Sequence, residues 1–228
     1  MNPLLTLLQI NDSVFPIGSF THSYGLETYI HKRIVHDVES TRNYAETMLK
    51  HSVYYNDAAF FSKAWEICSG KFSMRKLIAL DTLVSSLKSP YEIREASRKL
   101  AIRLLKIVES FKSLRRCKAY LEAIQGGTAG GHYAIAFAMY AQQQQISYED
   151  ALSAFYYNTL NGIVTNCAKL VPISQTEGQK ILFSLQDLIK DLVATQKDMD
   201  DAMLGNCCIA QDLRCMQHEK LYTRIYIS

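Results

Sequence analysis

The segment SPYEIREASRKLAIRLLKIVESF, residues 89–111, reads as one long amphipathic helix. Ile93, Ala96, Leu100, Leu104, Ile107 and Phe111 recur at intervals of three and four, which stacks them on one face. Arg94, Glu95, Arg98, Lys106 and Glu109 fall on the opposite, solvated side. Its start is marked as well: Ser89 as N-cap, Pro90 at the first helical position, and Glu92 completing a capping-box pattern.

Outward from it, the chain repeats the same grammar. Thr41–Tyr55, Ala58–Cys68 and Met74–Leu87 carry helical periodicity on the amino-terminal side. On the other side HYAIAFAMYA, residues 132–141, is apolar all round and rich in alanine, as expected of a central helix approached closely by neighbours. Ser147 caps the next helix, which runs through Tyr156, Leu160, Val164 and Cys167 to Pro172. Gly162 inside that run costs about 1 kcal/mol relative to alanine, so a kink or a tight backbone approach is expected there. Ser174 and Glu177 form a second capping box, followed by a stripe of Leu182, Leu185, Leu188, Ile189 and Leu192.

Glycines number ten and prolines four, and no segment has hairpin chemistry, a repeat or a dividing linker. The expected fold is all-α: a single-domain helical bundle of roughly eight to ten helices over residues 1–228. Residues 1–197 form the helical body and 198–228 an irregular tail. That tail, MDDAMLGNCCIAQDLRCMQHEKLYTRIYIS, shows weak helical periodicity, and its end alternates as an extended segment would.

A chain of 228 residues buries about 70–75% of its extended surface and needs no staples. Charged residues make up 21%, and 25 basic against 22 acidic residues leave a net charge of +3, which gives no footprint for nucleic acid. The basic cluster Lys112, Arg115, Arg116 and Lys118 reads as a solvated helix face. The opening MNPLLTLLQIND lacks a basic n-region and a long apolar run, so neither a secretory signal nor a membrane span is expected. With it, six irregularly spaced cysteines read as free thiols of a cytoplasmic protein.

Three motifs invite chemistry. Gly126 to Gly131 has the spacing of a phosphate-binding loop, but His132 and Tyr133 stand where lysine and a magnesium-binding hydroxyl residue belong, and a helix precedes it instead of a strand. Cys207, Cys208, Cys215 and His218 offer metal-ligand types in a spacing that matches no closed site. The turn FPIGSFTHSYGLETY, residues 15–29, holds one histidine and one carboxylate, His22 and Glu27, beside Gly18 and Gly25. No hydrolase elbow, zincin motif or dinucleotide fingerprint occurs, so no catalytic or cofactor-binding residue is assigned. Fourteen tyrosines tilt the chain toward an interaction protein.

Three blocks together resemble the UreF family of urease accessory proteins: residues 15–37, then Gly131-His132-Tyr133 with NGIVTNCAKLVPISQTEGQKIL at 161–182, then QHEKLYTRIYIS at 217–228. Ser174 stands where the family has glycine, and Lys169 where it has arginine. Lysine keeps the charge and loses the planar fork. The resemblance implies a non-enzymatic homodimer that binds no cofactor directly. It would join a UreD-type scaffold and a UreG-type GTPase so that GTP hydrolysis drives nickel insertion into apo-urease, with a UreE-type metallochaperone as nickel source. Pro16, Gly18, His22, Ser23, Gly25 and Glu27 are then a recognition surface or hydrated nickel path, or else residues that lock the loop on the core. Lys169, Gln175, Gly178 and Gln179 form a second candidate set, and His218 and Arg224 are candidates for contact with the UreD-type partner. Two alternatives stay open: nickel carriage by the tail cysteines and His218, and strict GTPase activation by Lys169 or Arg224.

Overall fold

The computed structural model describes residues 2–19 and 22–226. All of its regular structure is helical, and no strand occurs among the described residues. In chain order the helices are α1 (Pro3–Ile10), α2 (Leu26–His31), α3 (Val38–Thr47), α4 (Asp57–Ser69), α5 (Met74–Leu87) and α6 (Tyr91–Phe111). They continue with α7 (Arg115–Gln125), α8 (Tyr133–Gln143), α9 (Tyr148–Leu170), α10 (Gln175–Ser184), α11 (Gln186–Thr195) and α12 (Ile209–His218). A π-helical segment, Met48–Val53, extends α3.

The alanine-rich α8 is the axis, with Ala134, Ala136, Ala138 and Ala141 all buried. Small side chains let α4 and α6 pack closely against it, and Phe61, Phe137 and Phe155 interlock beside them. A second, smaller core of Leu26, Val35, Tyr44, Met48, Cys167, Val171 and Ile173 ties α2 and α3 to the end of α9.

Local chemistry sets most boundaries. Ser147 caps α9 by accepting the Asp150 N–H. At α10 the capping box is complete: Ser174 accepts the Glu177 N–H and the Glu177 carboxylate accepts the Ser174 N–H. The stripe expected as one helix after Ser174 is two, broken at Leu185 into α10 and α11. Gly162 does not interrupt α9, and no close approach requires it: a Cβ there would meet nothing within 4 Å.

The glycine loop before α8 does cradle an anion, but an internal one. The backbone N–H groups of Gly130 and Gly131 and the Tyr120 hydroxyl all donate to the buried Asp81 carboxylate of α5. A nest of this kind would serve a phosphate equally well; here the chain fills it with its own side chain. His132 then bonds through Nε2 to Ser85 Oγ at 2.8 Å.

The tail is more regular than expected: Asp201–Met203 form a short 3-10 turn and Ile209–His218 the ten-residue helix α12. No helix among the described residues is long and apolar enough to cross a membrane.

Candidate functional site

The site grows from the turn at Tyr24 and Gly25. Both residues lie in the left-handed region, with φ of 52° and 81°. For tyrosine this is strained; glycine adopts it freely. The pair aims the Tyr24 carbonyl at α12, where it accepts from Gln211 Nε2 at 2.6 Å and from the Cys215 thiol at 3.4 Å. A Cβ on Gly25 would lie 2.9 Å from Cys215 Sγ and 3.1 Å from its backbone nitrogen. One turn later the Thr28 hydroxyl donates to the Arg214 carbonyl at 2.9 Å.

Glu27 and Glu92 close the arrangement. His218 is fully buried between them, with Nε2 at 2.7 Å from Glu27 Oε2 and Nδ1 at 2.6 Å from Glu92 Oε2. An ionised carboxylate only accepts, so the arrangement needs an N–H on each ring nitrogen or a proton on one carboxyl. Glu27 also accepts the backbone N–H groups of Ile225 and Tyr226, at 2.7 and 3.1 Å. Arg224 donates to Glu92 Oε1 at 2.7 Å. Two carboxylates from the amino-terminal half thus clasp one helix and the chain beyond it.

Beside this clasp lies a cavity of about 150 Å³, walled by the loop before α2, by α6 and α9, and by α12. Ser23, Tyr133, Asn166 and Gln211 are on its wall, and each has a buried polar atom without a hydrogen-bond partner: Oγ, Oη, Oδ1 and Oε1 respectively. Gly162 faces the same space.

Several expected site residues therefore sit inside the molecule. His22 is only 2% exposed, its carbonyl accepts from Asn166 Nδ2 at 2.8 Å, and its ring lies 6.1 Å from that of Tyr24. Burial lowers its pKa to about 4, helped by Lys99 and Arg103. Ser23, Glu27 and His218 are buried too, so none is presented to a partner in this conformation. Pro16 is exposed and Gly18 takes a φ of 79°, whereas Phe20 and Thr21 of the same turn lie outside the described residues. The second set occupies the α9–α10 corner. Lys169, Gln175 and Gln179 are exposed there, and Gly178 packs so closely on Val164 that a Cβ would lie 3.2 Å from its Cγ1. The smaller core joins this corner to α2.

The four tail residues of metal-ligand type are not brought together as a site. Cys207 is exposed and donates to Asp212 Oδ2 at 3.0 Å, Cys215 is buried against Gly25, and both nitrogens of His218 are occupied. Among the described residues no group of three or more His, Cys, Asp or Glu is arranged to hold a metal ion.

Residues 35–186 match the family model UreF. A urease accessory protein UreF of Haemophilus influenzae (strain Rd) is 42% identical over all of this chain and 97% of its own length. The chain belongs to the UreF family. A UreF of Actinobacillus pleuropneumoniae is 39% identical over the whole of both chains, and one of Bacillus sp. (strain TB-90) is 31% identical over the same extent. As a UreF, the chain carries its clasp across segments far apart in sequence. Glu92 escaped the sequence reading because its capping-box position explained it locally. Instead, the N-cap is Pro90 with no side-chain bond, and the carboxylate serves His218 and Arg224.

Proposed function

We propose that this chain is a non-enzymatic adaptor in urease maturation. With a UreD-type scaffold and a UreG-type GTPase it would support GTP-dependent nickel insertion into apo-urease in the cytoplasm. GTP and nickel are handled by the partners, and the chain contributes surfaces, as a homodimer.

The observation that carries this reading is the orientation of α12. Its inward residues Gln211, Cys215 and His218 are polar or weakly polar, while Ile209, Leu213 and Met216 form an exposed outer stripe. Tyr222 and Ile225 continue apolar surface past the helix end, 100% and 77% exposed. An apolar stripe turned to solvent on the segment that departs from the body is a docking surface by its chemistry. Its position in the tail suits the UreD-type partner, and the glycine loop, filled by Asp81, leaves nucleotide binding to the GTPase.

Size-exclusion chromatography with light scattering tests this, on the protein alone and mixed with its cognate UreD-type and UreG-type proteins. A dimer that moves into a larger complex, and fails to when the chain ends at Gly205, is expected. A monomer indifferent to both partners would sink the reading.

A further inference from the structure

We propose that the cavity beside the clasp is a binding site for a small neutral molecule that carries N–H donors on an apolar frame, of the primary carboxamide class. The inference concerns this chain alone and does not depend on which partners it has.

Three independent features carry it. The first is that the space is kept open at the expense of the helix beside it. Gly162 lies in the interior of α9, where glycine is the poorest helix former after proline. No neighbour demands it, because a Cβ there would meet nothing within 4 Å, and the residue lines the cavity. A larger residue would strengthen the helix and take up volume. The void of about 150 Å³ also deprives its lining of packing contacts. Apolar cavities of similar volume take up benzene, so the space suits a guest built on one six-membered ring.

The second is the sign of the unused hydrogen-bonding groups. The Asn166 amide nitrogen donates to the His22 carbonyl at 2.8 Å, and the Gln211 amide nitrogen to the Tyr24 carbonyl at 2.6 Å. A backbone carbonyl only accepts, so both amides are held one way round and their oxygens are left as acceptors without a partner. The two residues are 3% and 5% exposed, where an unmade hydrogen bond is costly. The hydroxyls of Ser23 and Tyr133 on the same wall are also without partners, and each can donate or accept. A guest matched to this set donates at two points and accepts at a third. A primary amide, with two N–H groups and one carbonyl oxygen, is its complement.

The third is charge. Asp57 and Lys88, both on the wall, pair with each other at 2.9 Å, and Asp212 accepts the Cys207 thiol. An ionic guest would give up its hydration against a wall whose charges are already engaged. An anion would also face the two amide oxygens. The apolar part of the wall, Leu26, Met48, Leu100, Phe155 and Ile163, offers a seat for the ring of a neutral guest.

Three probes built on one ring separate these requirements. Benzamide donates and accepts, methyl benzoate is neutral and only accepts, and toluene does neither. Each would be titrated into the full chain by saturation-transfer NMR, with the thermal midpoint as a second reading, since a ligand of the folded state raises it. The same titrations would be run on Gly162→Leu, whose side chain enters open space without a clash at Cβ and suits a helix better than glycine.

The expected result is a thermal midpoint that rises with benzamide, and benzamide binding about tenfold tighter than that of methyl benzoate or toluene, the worth of one net hydrogen bond. Gly162→Leu should keep its thermal midpoint and lose the benzamide site. Equal binding of the three rings by the parent chain would overturn the donor requirement and with it the proposed class. Failure of all three to bind would overturn the site itself, and neither result depends on the variant. Benzamide binding that persists in Gly162→Leu would place the molecule elsewhere on the surface and overturn the proposal as well.

Discussion

Gly25 meets two demands at once. Its φ of +81° lies where an L-residue pays about 1–2 kcal/mol, and its missing Cβ makes room for the Cys215 backbone. Gly25→Ala should therefore lose at least about 1–2 kcal/mol in urea unfolding. Cys215→Ala should not rescue it, because the backbone nitrogen 3.1 Å away remains. Full rescue by the second substitution would show that only the thiol was in the way. The buried histidines predict an acid limit. Burial lowers the pKa of both His22 and His132 from 6.5 to about 4. Between those values the unfolded chain binds more protons than the folded one. Stability is thus complete well above pH 6.5 and falls as the pH drops toward 4, by about 2 kcal/mol at pH 5 for His22, with His132 acting in the same direction. Urea midpoints between pH 7.5 and 5 check this; a flat profile would mean that the rings are hydrated in the folded protein.

At the scale of elements, what was legible is what neighbours in sequence decide. Helix α5 runs over Met74–Leu87 as its periodicity predicts, and the caps at Ser147 and Ser174 form as their spacing predicts. What was not legible depends on partners far along the chain. Helix α12 carries the i, i+4, i+7 spacing of one helix face in Ile209, Leu213 and Met216, which the reading of the tail as irregular passed over; that this face turns outward is what no spacing shows. Glu92 fitted a local capping pattern while its carboxylate reaches a histidine 126 positions away. The loop before α8 looked like a turn of free glycines, yet Asp81 organises it from α5. Asp81→Ala should leave the Tyr120 hydroxyl and the N–H groups of Gly130 and Gly131 without their acceptor, at a cost of about 1–3 kcal/mol for each group that water cannot reach. Hydrogen exchange should show the loss first at residues 126–132. Unchanged protection there would assign the order of the loop to α8 packing instead.

Over the whole molecule the two ends of the chain form one structure. Glu27 and His218 were separable in sequence as members of two different surfaces; the fold makes them a single buried pair 191 positions apart. This changes what a truncation means. Ending the chain at Gly205 removes the outer apolar stripe and the clasp together, so a lost complex cannot by itself say which of them a partner needs. Leu213→Asp separates them. Leu213 is 51% exposed on the outer face of α12 and donates nothing to the clasp. A carboxylate there stays solvated in the free protein, so its unfolding free energy should move by no more than about 0.5 kcal/mol, as for most surface substitutions. Against an apolar partner surface the same carboxylate must be desolvated without a counter-ion, which costs several kcal/mol. Co-elution with the UreD-type protein should then be lost while the urea midpoint of the free protein stays where it was. If co-elution survives Leu213→Asp and fails only on truncation, the partner needs the clasped segment itself, and the exposed stripe is not the contact.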